Sequence, residues 1–145
     1  DGRLLKLNQN GSYKFMNDTN EDQSYYVKIL DPKFKVTYES QDTRAVRFMP
    51  RFENVQAKTI LGIKFEATFI DSFGETIFKF SGIHEDKLNY KEYTTTQMSF
   101  SFVEMHDKSN EPFEKLYPLA ALDNTNVLIS VNAISLADGN IIEFD

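Results

Sequence analysis

The stretch "IKFEATF", residues 63–69, alternates large apolar side chains with polar ones. Its apolar residues occupy every second position: Ile63, Phe65, Ala67 and Phe69. A β-strand places successive side chains on opposite faces, whereas a helix would scatter these apolar residues around its circumference. The pattern therefore predicts a half-buried strand and argues against a helical fold for the centre of the chain.

The same alternation returns in "QMSFSFVEM", residues 97–105, where Met98, Phe100 and Phe102 occupy alternate positions. Other segments are rich in the β-branched and aromatic residues that are typical of strands. They are "SYKFM", "YYVKIL", "FKVTYES", "RAVRFM", "TIFKF", "NVLISVNAISL" and "IIEF". Together these segments predict about eight or nine strands along the chain.

Turn-forming residues separate the predicted strands. Asp71, with Gly74 three positions later, predicts a type I turn in which the Asp side chain caps the backbone and Gly adopts the left-handed conformation. Asp138 and Gly139 predict a hairpin with a two-residue loop. An Asn-Gly pair at residues 10–11 predicts another hairpin near the start of the chain.

One stretch, "NEPFEKLYP" at residues 110–118, favours a short helix with Asn110 as its cap and Pro118 as its stop. The overall pattern predicts an all-β fold, an immunoglobulin-like antiparallel β-sandwich with at most one short connecting helix. We interpret residues 1–145 as a single β-sandwich domain, in which residues 1–30 form either an edge hairpin or an N-terminal arm.

The segment "IKFEATFIDSFGE", with "FMPRFENVQAKTILG" before it and "VNAISLADGNIIEF" near the end, resembles a known family. This is the FxLYD type of immunoglobulin-like bacterial β-sandwich domain, with its late-embryogenesis-abundant-like relatives. The family's Asn falls on Asn54, its strand end on residues 69–71 and its Gly turn on Gly74, and the resemblance covers residues 44–144. It implies an extracytoplasmic, often envelope-associated module without catalytic residues.

The charge balance argues against nucleic acid as a partner. Sixteen Lys and Arg oppose 22 Asp and Glu, and the formal net charge of −6 repels phosphate backbones and anionic lipid surfaces. The chain has no Cys, which excludes thiolate nucleophiles and Cys-ligated metals. No apolar run reaches the roughly 18 residues needed to span a bilayer, so we expect no membrane span.

The chain begins at Asp1 rather than Met, which indicates a trimmed or mature form and leaves a removed export leader or lipid anchor open. We expect an extracytoplasmic location, in the periplasm, at the cell surface or secreted. A cytoplasmic location stays an alternative.

Four side chains could in principle serve catalysis. Asp71 and Glu75 could form a carboxylate pair, but we interpret Asp71 as a turn residue and Glu75 as a solvent-facing residue at the start of the next strand. His84 and His106 each neighbour an acidic residue, yet they lack metal-ligand or nucleophile motifs, and we predict that both are surface histidines. We expect no catalytic residues.

The run "NDTNED", residues 17–22, places Asp18, Asn20 and Asp22 at the spacing that opens an EF-hand loop. Gln23 stands where that loop needs Gly, and Ile29 stands where it needs a bidentate Glu. We therefore predict no dedicated metal site and no cofactor.

Tyrosines offer apolar area with a polar tip, which suits a binding face. Tyr25, Tyr26, Tyr90 and Tyr93 also fit a role as strand and loop aromatics that complete the core or its rim. If a binding patch exists, its preferred residues are Tyr90 and Tyr93 in "LNYKEY", a polar connection without strand period. The leading hypothesis is a non-catalytic interaction or structural module of the bacterial cell envelope, with a protein or envelope component as partner. A small-ligand or carbohydrate-binding module is the alternative, and an enzyme with dispersed catalytic residues is a third.

Overall fold

The computed structural model describes residues 22–94, 99–122 and 126–144. In these residues the chain forms a 3₁₀ turn at Gln23–Tyr25, seven β-strands and one α-helix. The elements are β1 (Val27–Ser40), β2 (Thr43–Asn54), β3 (Ile60–Ile70), β4 (Thr76–Leu88), β5 (Phe100–Val103), α1 (Glu111–Ala121), β6 (Val127–Leu136) and β7 (Ile141–Glu143).

The strands form two sheets, with the orders β1-β2-β5 and β4-β3-β6-β7. Every pairing between these strands is antiparallel. The chain crosses from one sheet to the other after β2, after β4 and again through α1. This order is that of an immunoglobulin-like sandwich in which the fourth strand lies beside the third. The predicted all-β sandwich with one short connecting helix is confirmed.

The core lies between the sheets and is dominated by phenylalanine. The alternating residues Ile63, Phe65, Ala67 and Phe69 are all buried. The Phe65 ring lies 5.6 Å from the ring of Phe52 and 5.7 Å from that of Phe100. Because those two rings belong to the opposite sheet, Phe65 joins both layers of the sandwich.

Gly82 in β4 makes room for the Phe65 ring. The two residues are paired across β3 and β4, and a Cβ atom at position 82 would lie 2.7 Å from Cζ of Phe65. Real Cβ contacts are not that short, so any side chain here would displace the ring from its packing. A glycine inside a strand is explained by this close approach.

Two predicted segments, residues 25–30 and 34–40, contribute to one strand, β1. Its register against β2 shifts between Leu30 and Lys33, at Pro32. On the other side of β2, the pairing with β5 ends at Phe48. Pro50 lies beyond this pairing, where the missing N–H of proline breaks no hydrogen bond to β5. The segment "SYKFM" and the Asn-Gly pair at residues 10–11 lie outside the described residues.

Both predicted turns between later strands are present. The Asp71 carboxylate accepts hydrogen bonds from the N–H groups of Phe73 and Glu75, each at 2.9 Å, and Gly74 has a φ of 83°. The Asp138 hairpin differs from the two-residue prediction, because the Leu136 N–H donates to the Asn140 carbonyl and residues 137–139 form a three-residue loop. Gly139, with a φ of 94°, is the position of left-handed backbone in that loop.

The helix α1 packs against β1, β2, β4 and β5. Asn110 precedes it without capping it, because its side chain instead donates to the Val103 carbonyl. The prediction that Pro118 stops the helix is wrong, since α1 continues through Pro118 to Ala121. Proline removes one helical hydrogen bond, and the burial of Phe113, Leu116 and Ala120 against the sandwich compensates.

An ion pair fixes the end of the sandwich beside α1. Arg44 donates to Glu104 through its side chain and its backbone N–H, and its guanidinium carbon lies 4.4 Å from the centroid of the Tyr117 ring. The hydrogen bonds from Arg44 lower the pKa of the Glu104 carboxyl to about 2. The pair links β2, the segment after β5 and the helix.

Candidate functional site

The structure assigns Asp71 to its turn. Both N–H groups that its carboxylate binds belong to the turn backbone, and Glu75 is exposed at the start of the next strand. His106 is exposed, as predicted, and its Nε2 lies 3.3 Å from the Thr43 hydroxyl. Among residues 22–94, 99–122 and 126–144 no group of three His, Asp or Glu side chains could hold a metal ion.

The prediction of a surface histidine is wrong for His84. It lies inside β4, paired with Ile63 of β3, and is only 3% exposed. Neither ring nitrogen has a hydrogen-bond partner among the described residues. Burial lowers the pKa of the imidazole, and the charge of Asp86 offsets part of that change. The segment "GIHEDK" looks polar in the sequence because the residues next to His84, Ile83 and Glu85, face solvent, whereas the His84 side chain itself faces the core.

We expect His84 to make the fold sensitive to mild acid. Its folded pKa lies below the unfolded value of about 6.5, so its neutral form contributes stability above that pH and the contribution is lost as pH falls. His84→Leu should flatten the pH profile of stability below about pH 6.5 and raise the free energy of unfolding at pH 8 by about 1 kcal/mol, since two unsatisfied buried nitrogens are removed.

The measurement is urea unfolding from pH 8 to pH 4, with His106→Gln as the matched control. His106 is exposed, so the control should change the slope between pH 6.5 and pH 5 less than His84→Leu does. The Glu104 carboxyl, with its pKa of about 2, contributes a separate loss that begins below its unfolded pKa of about 4.5. If His84→Leu keeps the wild-type slope between pH 6.5 and pH 5, His84 does not titrate on unfolding.

The preferred binding residues, Tyr90 and Tyr93, lie in the connection that follows β4. We call residues 89–93 the tyrosine loop. Tyr90 is 52% exposed and Tyr93 is 59% exposed. Tyr25 is also exposed, whereas Tyr26 packs against Phe144 with a ring separation of 5.7 Å. Of the two tyrosine pairs, only Tyr90 and Tyr93 present both rings to solvent.

A fully buried asparagine holds the tyrosine loop in place. The backbone N–H of Asn54 donates to the Glu92 carbonyl at 2.9 Å, and the Asn54 carbonyl accepts from Lys91 at 2.8 Å. The Asn54 side chain donates to the carbonyls of Leu88 and Lys58, at 2.8 and 2.9 Å. Asn54 therefore binds the loop, the end of β4 and the β2–β3 connection at the same time.

The two ends of the tyrosine loop have further anchors. Thr94, just beyond the loop, exchanges two hydrogen bonds with the backbone of Phe52: its N–H donates at 2.8 Å and its hydroxyl accepts at 2.9 Å. At the other end, the Asn89 N–H donates to the Glu92 carboxylate at 2.8 Å. Tyr93 also forms a β-bridge with Glu53. The loop backbone is thus hydrogen-bonded on both sides of Tyr90.

Lys91, between the tyrosines, adopts a strained conformation. Its φ of 69° is the one positive value at a non-glycine residue in the described part of the chain. Such backbone costs on the order of 1 kcal/mol and persists where surrounding contacts enforce it. Here the Lys91 N–H is bound to Asn54, and the Lys91 ammonium lies 5.3 Å from the centroid of the Tyr90 ring.

Sequence reasoning located the two tyrosines but missed what holds them. In the sequence, Asn54 is indicated only by the family resemblance, and no pattern indicates Thr94 or Lys91. A buried asparagine at the end of an alternating strand carries no local signal, because its partners lie four and 34 positions away along the chain.

Comparison with protein-family models, with curated proteins and with solved structures gives no significant match. The resemblance to FxLYD-type domains therefore stays a prediction. Within the described part of the chain, no helix is long and apolar enough to cross a membrane.

Proposed function

We propose that this protein is a non-catalytic interaction module that binds a protein partner through the tyrosine loop. The observation that carries the proposal is that Tyr90 and Tyr93 are both exposed on a loop whose backbone is hydrogen-bonded to the buried Asn54. Exposed aromatic side chains on a rigid scaffold are typical of recognition surfaces.

The energetic argument rests on preorganisation. A mobile loop loses conformational entropy when it binds, whereas a loop already fixed by its own hydrogen bonds loses little. Tyrosine adds a large contact area with only two side-chain torsions to immobilise. Strained backbone is concentrated at functional sites, and the positive φ of Lys91 agrees with a binding role for the tyrosine loop.

The alternative, a carbohydrate or small-ligand site, has weaker support from the geometry. Sugar stacking needs an open aromatic face, and the Lys91 ammonium lies over one face of the Tyr90 ring. No ring contact joins Tyr90 to Tyr93 among the aromatic pairs of the described residues, so they do not form one continuous platform. A protein partner can use the two rings separately, each in its own pocket.

We also propose that the module acts outside the cytoplasm, as a component of the bacterial cell envelope. This placement is supported by the resemblance to FxLYD-type domains alone. Fractionation of cells that express the full-length gene product tests it, and recovery in the cytoplasmic fraction would rule it out.

For the binding proposal, we expect a photo-crosslinking amino acid at position 90 or 93 of the full-length protein to trap a discrete partner in cells. The same amino acid at position 38 is the control, because Tyr38 is 68% exposed but lies on β1. Once the partner is purified, Tyr90→Ala or Tyr93→Ala should weaken binding by about 10- to 30-fold, the usual loss for a central aromatic contact.

Two results would contradict this proposal. Equal crosslinking from positions 38, 90 and 93 would show that the tyrosine loop is not the contact surface. Glycan-array binding that is lost in Tyr90→Ala and kept in Tyr38→Ala would favour the carbohydrate alternative.

A further inference from the structure

Each sheet of the sandwich ends in one long strand, and the two strands differ in how they are protected. β1 contains Pro32, a register shift at that position and a series of lysines. Proline, irregular register and charge are the features that prevent a sheet edge from pairing with another chain. β4 has no proline, and its register against β3 is continuous from Phe78 to Glu85.

The free edge of β4 is therefore suited to adding another strand. Among the described strands β4 pairs only with β3, so its other edge has no ladder partner there. An edge strand of this length, without a proline and without a register shift between Phe78 and Glu85, is a template for backbone pairing with a further chain. The charged side chains along β4 indicate which chain could pair with this edge.

Lys79 and Glu85 are placed symmetrically about Gly82, three positions to either side. Both side chains are exposed, and neither takes part in an ion pair among the described residues. They are six positions apart along the strand, about 20 Å, so they cannot reach one another within one chain. In an antiparallel pair centred on Gly82, however, each Lys79 lies directly opposite the other copy's Glu85.

We propose that β4 pairs antiparallel with β4 of a second copy of this chain, about a two-fold axis at Gly82. The two four-stranded sheets would then join into one continuous sheet of eight strands. Two cross-strand pairs of opposite charge form, and the exposed Ser81 and Ile83 lie opposite each other. An isolated lysine on a sheet edge discourages pairing. In the register centred on Gly82, however, the charge of each Lys79 is balanced by Glu85 of the other copy.

The register also agrees with the two faces of the sheet. An antiparallel pair centred on a residue places inward side chains beside inward ones, so both cores stay on the same side of the joined sheet. Phe78 and Phe80 of β4 contact Phe100 and Phe102 of β5, and all four rings are only partly buried. A second copy docked along β4 would cover this aromatic group further.

The test is sedimentation velocity on the full chain from about 1 µM to about 1 mM. We expect the wild type to pass from monomer to dimer in this range. Lys79→Glu and Glu85→Lys should each weaken the dimer at least about tenfold, because every β4 pair then faces two like charges. A mixture of these two variants should dimerise again, since each variant supplies the charge that the other lacks.

Lys35→Glu is the matched control, because it makes the same charge change on β1 and should leave the dimer intact. A wild type that stays monomeric throughout the range would overturn the proposal. This holds even if β4 pairs with a strand from a different protein. A dimer that is indifferent to both reversals, or variants that do not recombine on mixing, would overturn the proposed register.

A second measurement does not depend on charge. The protein has no Cys, so introduced cysteines report only on the pairs they form. Residues opposite each other in an antiparallel pair have Cα atoms about 4.5–5.5 Å apart, within disulfide reach. Mixed Ser81→Cys and Ile83→Cys chains should form a disulfide dimer rapidly, and each variant alone should do so slowly. Equal rates would argue against pairing centred on Gly82.

Discussion

Replacing Phe65 by Ala lowers the free energy of unfolding by about 3–5 kcal/mol, the usual loss when a fully buried phenylalanine is truncated. Phe65 is 1% exposed, and its ring contacts Phe80 in its own sheet and Phe52 and Phe100 in the opposite sheet. The cavity would open in the middle of the sandwich, where neighbouring rings relax least. Urea unfolding followed by circular dichroism measures the loss.

The matched control is Phe73→Ala. Phe73 lies in the Asp71 turn and is 88% exposed, so the same substitution should change stability by less than about 0.5 kcal/mol. Similar losses for both variants would mean that Phe65 is not a central core residue.

Gly82 adds a further test of the same contact. In the wild type Gly82→Ala should cost about 1–3 kcal/mol, because the new methyl group collides with the Phe65 ring. In the Phe65→Ala background the shortest contact is absent and only the Phe80 ring, 3.0 Å from the new methyl group, remains, so the same change should cost less. Additive losses in the double variant would contradict the close approach of the ring to Gly82.

Asn54→Ala should destabilise the protein by about 3 kcal/mol, since it leaves buried carbonyl and N–H groups without partners. The Leu88 carbonyl loses the Asn54 donor and the Gln56 N–H loses its acceptor, whereas the Lys58 carbonyl keeps a second donor in the Gln56 side chain. Exposed Asn132 in β6 provides the control, because Asn132→Ala should be nearly neutral.

The Asn54 variant also connects stability to the proposed binding surface. The backbone bonds from Asn54 to Lys91 and Glu92 lose support when the side chain no longer anchors this region. We expect the Lys91 amide to exchange its hydrogen faster, well before global unfolding. Destabilisation without faster exchange at Lys91 would mean that the tyrosine loop is held independently of the Asn54 side chain.

The turns and strands were predictable because their causes are local. Asp71 and Gly74 form their turn through bonds that span four residues or fewer. The inward positions of β3 follow from alternation within the strand itself. The helix was predictable for the same reason, but its end was not. Pro118 would stop an isolated helix, and only packing of α1 on the sandwich carries the chain past it.

The strand-rich fold class, the positions of the later turns and the polar connection that carries Tyr90 and Tyr93 were predictable from the sequence, since each depends on neighbouring residues. The burial of His84, the hydrogen bonds from Asn54 to the tyrosine loop and the edge position of β4 were not predictable in this way. These properties depend on which strands become neighbours, and that choice is made by packing between residues far apart in the chain. A polar residue looks exposed in sequence until the opposite sheet covers it.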